Sequence, residues 1–218
     1  MSAFPGSPRV LKGGIVTYDL ASAAVGNIIV LQYNPDTLTR TLQVQGAGNE
    51  SGDRLEALRL KGPPIETIKL DAEVDVTDQL EFPDQNPVAV QKGLHPQLAA
   101  LELLVYPTVK QLTYANSLAG QGILEVVPME VPLTLFVWSA QRIVPVRITD
   151  FSITEEAFDP VLNPIRARVS LGMRVLTVMD LGFSDGNGGS MYLSYQSTKE
   201  TLAKQFSYGT AGALGVSF

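Results

Sequence analysis

The chain has 218 residues, 45% apolar and only 17% charged, with a net charge of −6 and no cysteine. The missing thiols exclude disulfides, thiol nucleophiles and cysteine-based metal sites, and the acidic balance argues against a nucleic-acid footprint, which is normally basic. A charged fraction below the roughly 25% of an average soluble domain favours surface buried against other subunits.

The opening MSAFPGSPRVLKGG, rich in proline and glycine, reads as an extended arm over residues 1–14. Strands are expected at Ile15 to Leu20, Asn27 to Tyr33 and Thr37 to Val44. The second and third flank a corner at Asn34-Pro35-Asp36, where Pro35 fixes its own φ and removes a backbone donor. Ile28 to Leu31 is apolar throughout, as in a wall covered on both sides. In the third strand Leu38 and Leu42 share one side while Thr39 and Thr41 take the other, which leaves a face for a channel or a neighbouring subunit. Replacement of Leu38 and Arg40 is therefore expected to weaken oligomers more than the fold.

QGAGNESGD at 45–53 has the composition of a loop. Ile68, Leu70, Ala72, Val74 and Val76 then alternate with Lys69, Asp71, Glu73 and Asp75, a strict period of two. Leu94, Leu98, Leu101 and Val105 form one helical stripe, with Pro96 tolerated in the first turn and Pro107 ending it. A shorter helix is expected over Thr108 to Leu118.

Strands resume from Ile123. Val131 to Trp138 is nearly all apolar, and Ala140-Gln141 marks a turn. In the next strand the apolar positions are Val144, Val146 and Ile148, then Phe151 and Ile153. That one-residue slip predicts a bulge near Thr149-Asp150. Ile165 to Val175 is a long strand whose polar face carries Arg166, Arg168 and Arg174. GFSDGNGGS supplies a glycine-rich linker at 182–190, and Met191 to Phe206 suits a helix within a C-terminal extension, 191–218. The main domain, 15–181, reads as mainly β with one helical region (α+β): two packed antiparallel sheets forming a barrel flanked by a helix.

Chemistry-bearing motifs are scarce. His95, the single histidine, stands beside Pro96 at a helix entrance, a structural place. There is no nucleophile elbow, P-loop, zinc-protease or dinucleotide-binding signature. Asp71, Glu73 and Asp75 read as a charged strand face rather than a metal site or a glycosidase pair. Arg166, Arg168 and Arg174 are expected to meet that acidic face on a neighbouring subunit and set register. No catalytic, cofactor or metal residue is assigned, so the expectation is a protein that is not an enzyme.

The apolar runs fall far short of the ~20 residues a membrane span needs. No charged start leads into an apolar stretch, so the chain reads as made in the cytoplasm without a signal peptide or a direct membrane anchor.

QYNPDTLTR at 32–40, GLHPQLAALELLVYP at 93–107 and LFVWSAQRIVPVRITDFSITEEAFDPVLNPIRARVSLGMRVL at 135–176 resemble the tube-adaptor proteins of bacterial contractile injection systems. That family groups with phage tails, R-type pyocins, antifeeding prophages and Photorhabdus virulence cassettes. The resemblance covers roughly residues 10–181 and implies a tail-tube-like β barrel. It also implies a homohexameric ring between a trimeric spike and the sixfold inner tube, with the spike protein, inner tube protein and baseplate components as partners. Better-known adaptors add a LysM domain, for which residues 182–218 are too few. Tyr192 and Tyr195 are expected instead to help a short helix dock on a baseplate protein. A repeated inner-tube or tube-end protein is the alternative within the same machine, and a monomeric ligand-binding barrel the alternative outside it.

Overall fold

The computed structural model describes residues 11–20, 22–46, 59–120, 131–183 and 188–209. Residues 1–10 of the expected arm, most of the loop 45–53, the stretch 123–130, the middle of the glycine-rich linker and residues 210–218 lie outside the described residues.

Seven strands form one antiparallel sheet: β1 (Gly14–Asp19), β2 (Ala24–Val30), β3 (Leu38–Gln43), β4 (Ile65–Asp75), β5 (Leu133–Ser139), β6 (Arg142–Phe158) and β7 (Pro164–Val175). Their order is β2-β1-β5-β6-β7-β4-β3. The helices are α1 (Thr77–Leu80), α2 (Pro87–Lys92), α3 (His95–Glu102), α4 (Val109–Gly120), α5 (Val178–Leu181) and α6 (Gly189–Gln205). The fold is thus mainly β with several helices. Instead of the expected two-sheet barrel there is one continuous sheet, and it stays open, with β2 and β3 as its ends.

β6 makes this arrangement possible. Its first residues, through Val146, pair with β5, and from Val146 onward it pairs with β7. The register slips between Ile148 and Asp150, at the position where the apolar phase changes in the sequence. Gly172 of β7 lies opposite, and its missing Cβ leaves room for the Asp150 side chain. Both halves of the sheet contribute to a single core, with Ile15, Phe136 and Val144 from one side and Ile68, Val169 and Met173 from the other. β4 shows the predicted alternation, burying Ile68, Leu70 and Ala72 while Lys69, Asp71 and Glu73 face out.

The helical stripe is correct up to the end of α3. Leu94, Leu98 and Leu101 are buried, whereas Val105 lies beyond the helix and is exposed. Gly93, with φ of +52°, separates α2 from α3. The next N–H, from Leu94, donates to the Pro164 carbonyl at 2.8 Å. That carbonyl ends a rigid turn in which Asp159 Oδ1 accepts from the N–H groups of Val161 and Asn163, each at 2.8 Å. The Asp159-Pro160-Val161-Leu162-Asn163-Pro164 stretch therefore forms the β6–β7 turn and seats α3 against it.

The Asn-Pro corner has a comparable structural role. Gln32 Nε2 donates to the Asp75 carbonyl at 2.6 Å, and Gln32 Oε1 accepts from the Asp75 N–H at 2.8 Å. One side-chain amide thus imitates a strand pairing and joins the end of β2 to the end of β4. Asn34 makes the same double bond to the incoming chain, donating to the Leu11 carbonyl and accepting from the Gly13 N–H. Gln32→Leu is expected to cost about 2 kcal/mol, because both Asp75 backbone groups lose their partner. Urea unfolding with an unchanged m-value is the check, and a loss under half a kcal/mol would show the latch to be dispensable.

Candidate functional site

The charged strand face is largely satisfied within one chain. Antiparallel register places Asp75 opposite Arg166 and Glu73 opposite Arg168. Arg166 Nε lies 2.8 Å from Asp75, and Arg168 reaches Glu73 and Glu156 at 3.8 and 3.7 Å. Asp71 accepts a hydrogen bond from Ser170, and Arg174 pairs with Asp180 at 2.7 Å. The expected pairing with a neighbour's acidic face is therefore corrected: β4 and β7 are adjacent in the same sheet, so the opposite charges already meet. Glu73, Arg166 and Arg168 nonetheless stay about half exposed.

Leu38 packs against the core, and Arg40 is committed internally. Arg40 places Nη2 2.6 Å and Nε 2.7 Å from Glu66 Oε1, while Lys199 Nζ lies 3.2 Å from Oε2. Tyr195 completes the node, donating its hydroxyl to Glu66 Oε1 at 3.1 Å and accepting from Arg40 Nη2 at 3.1 Å. Lys199 also sits 3.9 Å above the Tyr195 ring. The node ties β3, β4 and α6 together. Tyr192 and Tyr195 are accordingly buried in the chain's own core, not displayed for a baseplate protein.

Burial pushes the Glu66 carboxyl up, but the Arg40 hydrogen bond and the charges of Lys199 and Arg40 outweigh it and hold the group below its ordinary value. The Tyr195 phenol is pushed up to about 12, first by burial and then by the Glu66 charge. Glu66 was not among the residues singled out from sequence. Its signal is phase: it falls on the same side of β4 as Ile68, Leu70 and Ala72, a carboxylate in an apolar row.

The remaining surface is unusually apolar at the two ends of the sheet. In β2, which carries no charge, Ile28 and Val30 are 63% and 57% exposed. The expectation that this run is covered on both sides is thus corrected: only Ile29 and Leu31 pack inward. Leu42 of β3 and the following Val44 are exposed at the other end. α4 buries none of its residues, and Val109, Leu112 and Tyr114 are open along it.

Among the described residues no group of three or more His, Asp or Glu side chains is placed to hold a metal ion. His95 is exposed at the first position of α3. No helix of the described residues is long and apolar enough to cross a membrane.

No protein-family model and no curated protein matches the chain. Among solved structures, it is similar to a chain from the tail of an empty gene transfer agent particle, determined by helical refinement in C6 symmetry. Identity is 13% and the TM-score 0.30, over 80% of this chain and 95% of that one. A chain from the virion of a native gene transfer agent particle gives 13% identity and a TM-score of 0.28 over the same shares. Superpositions this loose assign neither fold nor function.

The node makes two expectations. Arg40→Leu should destabilise the fold by about 3 kcal/mol, since it strips the buried carboxylate of its closest partner. Glu66 has a lowered pKa, so its contribution is present above the unfolded value of about 4.3 and is lost as pH falls through the lower folded value. The stability difference between the native chain and Glu66→Gln, from urea unfolding, should be full at pH 7 and shrink as the medium is acidified below that range. A difference independent of pH would remove the ion pairing from the account.

Proposed function

We propose that the chain is a non-enzymatic structural subunit of a phage tail-like contractile injection particle. In this reading it forms a hexameric ring at the spike–tube junction, adapts the trimeric spike to the inner tube and starts tube assembly. The observation that carries it is the bare apolar surface at both open ends of the sheet. An uncharged edge strand with exposed Ile28 and Val30 is a pairing template that a monomer would ordinarily block with charge, proline or a covering element. The low charged fraction and the resemblance of residues 32–40, 93–107 and 135–176 to tube adaptors support the same conclusion.

The partners in this reading are further copies of the chain, the spike protein, the inner tube protein and baseplate components. The half-exposed Glu73, Arg166 and Arg168 supply a polar rim to the contacts between copies. The division into an N-terminal arm, a main domain and a C-terminal extension belongs to the same reading, with the extension anchored on its own domain through Tyr192 and Tyr195. Copy number separates the adaptor from a repeated tube protein, one ring per particle against many.

Electron microscopy of the purified chain should show rings with an open channel, and the intact particle should hold one such ring next to the spike. A stable monomer at all concentrations would overturn the proposal. Ile28→Asp combined with Val30→Asp should weaken ring formation roughly a hundredfold, since each buried aliphatic side chain contributes about 1.5–3 kcal/mol. The melting temperature of the single chain should hardly move, because both side chains are already more than half exposed.

A further inference from the structure

A cleft of about 400 Å³ opens between β2 and β4, beside α3. Its apolar lining includes Ile28, Val30, Val74, Leu101 and Leu171. The cleft exists because the ladder is interrupted there. β3 pairs with β4 only from Ile65 to Leu70, so among the described residues the edge of β4 from Asp71 to Val74 has no strand beside it. Across the gap, β2 is the last strand of the sheet, and among the described residues nothing pairs with its outer edge. Among the described residues the Gln32 side chain bridges the two, at Asp75. Backbone groups alternate along a strand, so Glu73 presents its N–H and C=O to the same side as Asp75, toward the cleft it lines.

A second observation points to a missing donor. Gln97, on the α3 wall, has a buried Oε1 with no hydrogen-bond partner, a single such side-chain atom among the described residues. A buried acceptor left without a donor is costly, and most are satisfied in native proteins. An apolar slot with a free strand edge on each side and an unused acceptor suits an extended polypeptide. Such a segment supplies backbone N–H groups, apolar side chains on alternate positions and no charge.

One stretch of this chain has that pattern. Residues 210–218, TAGALGVSF, contain no ionisable side chain and no proline, and Leu214, Val216 and Phe218 alternate with Gly215 and Ser217. Large side chains on one face would turn to the core, and small ones on the other would clear the rim. The segment follows α6, which Tyr195 and Lys199 hold at the Glu66 end of β4, opposite the Asp75 end where the cleft lies. We propose that the cleft of one copy receives residues 214–218 of a second copy as an added strand. The proposal rests on the assembly reading above, to which it adds a specific, directional link between neighbours.

The absence of cysteine makes the test clean. Chains carrying Val30→Cys and chains carrying Val216→Cys are mixed, assembled and mildly oxidised. A reducible dimer of the two different chains is the expected product. A link formed only inside a chain carrying both substitutions overturns the exchange between copies. A link from Val30→Cys to Leu42→Cys instead places the neighbour's β3 at the cleft and overturns the proposal as well. Rings that form without any link to position 216 defeat the inserted tail alone, whereas no rings from the native chain defeat the assembly reading.

A fluorescent TAGALGVSF peptide titrated onto the chain truncated after Gly209 tests the slot apart from assembly. Binding should weaken at least tenfold with Ile28→Asp. Gln97→Leu should also weaken it severalfold while leaving the truncated chain at least as stable, because an orphaned acceptor is removed. Peptide binding unaffected by both substitutions, or no binding, rejects the cleft as its site.

Discussion

β6 belongs to both halves of the sheet, and the one-residue slip at Thr149 decides which of its side chains face the core in each half. Before the slip Val144 and Val146 point inward beneath β5, and after it Phe151 and Ile153 take the inner side beside β7. Without the slip, one half of the strand would bury Thr154 and Ser152 in place of its apolar row. A bulge tends to bend its strand, and both halves of the sheet contribute to one core. The chain just after β2 and the end of β4 approach each other at Gln32 and Asp75. The latch and the cleft depend on that approach, whereas α3 is seated by the turn between β6 and β7.

The enclosure is finished by side chains where the ladder stops. Gln32 stands in for a strand partner at one end of β4, Asn34 does the same for the incoming chain at Leu11 and Gly13, and Glu66 organises the other end of β4. Glu66 is costly to bury, and it is kept charged by two cations from distant parts of the chain, Arg40 and Lys199. An apolar residue there would pack α6 with no preferred register. A carboxylate that must meet both cations and the Tyr195 hydroxyl allows one seat for the helix. The node thus contributes specificity to the docking of α6 more than net stability.

Much of this was legible in the sequence because it is local. The alternation of β4, the slip near Thr149, the turn at Ala140-Gln141 and the helix after the glycine-rich linker all follow from spacing between near neighbours. What escaped was long-range. The partners of Glu66 lie 26 and 133 residues away, and only its phase among Ile68, Leu70 and Ala72 marks it as inward. The arginines of β7 look like a face awaiting a partner until strand order puts β4 beside them. Ile28 to Leu31 reads as doubly covered because an unbroken apolar run has the same appearance in a central strand and in an edge strand meant for another chain.

That last ambiguity carries the physical argument for assembly. A strand's two faces and its outer edge are burdens only in water, and a monomer answers them with charge, proline or a covering element. Among the described residues β2 has none of these, although the same chain places charges freely along the exposed face of β4. Selection for solubility as a monomer would have used those charges at the edge, where they cost the core nothing. Their absence from β2 leaves Ile28 and Val30 open to water on the single chain, and that exposure is the observation on which the assembly proposal rests.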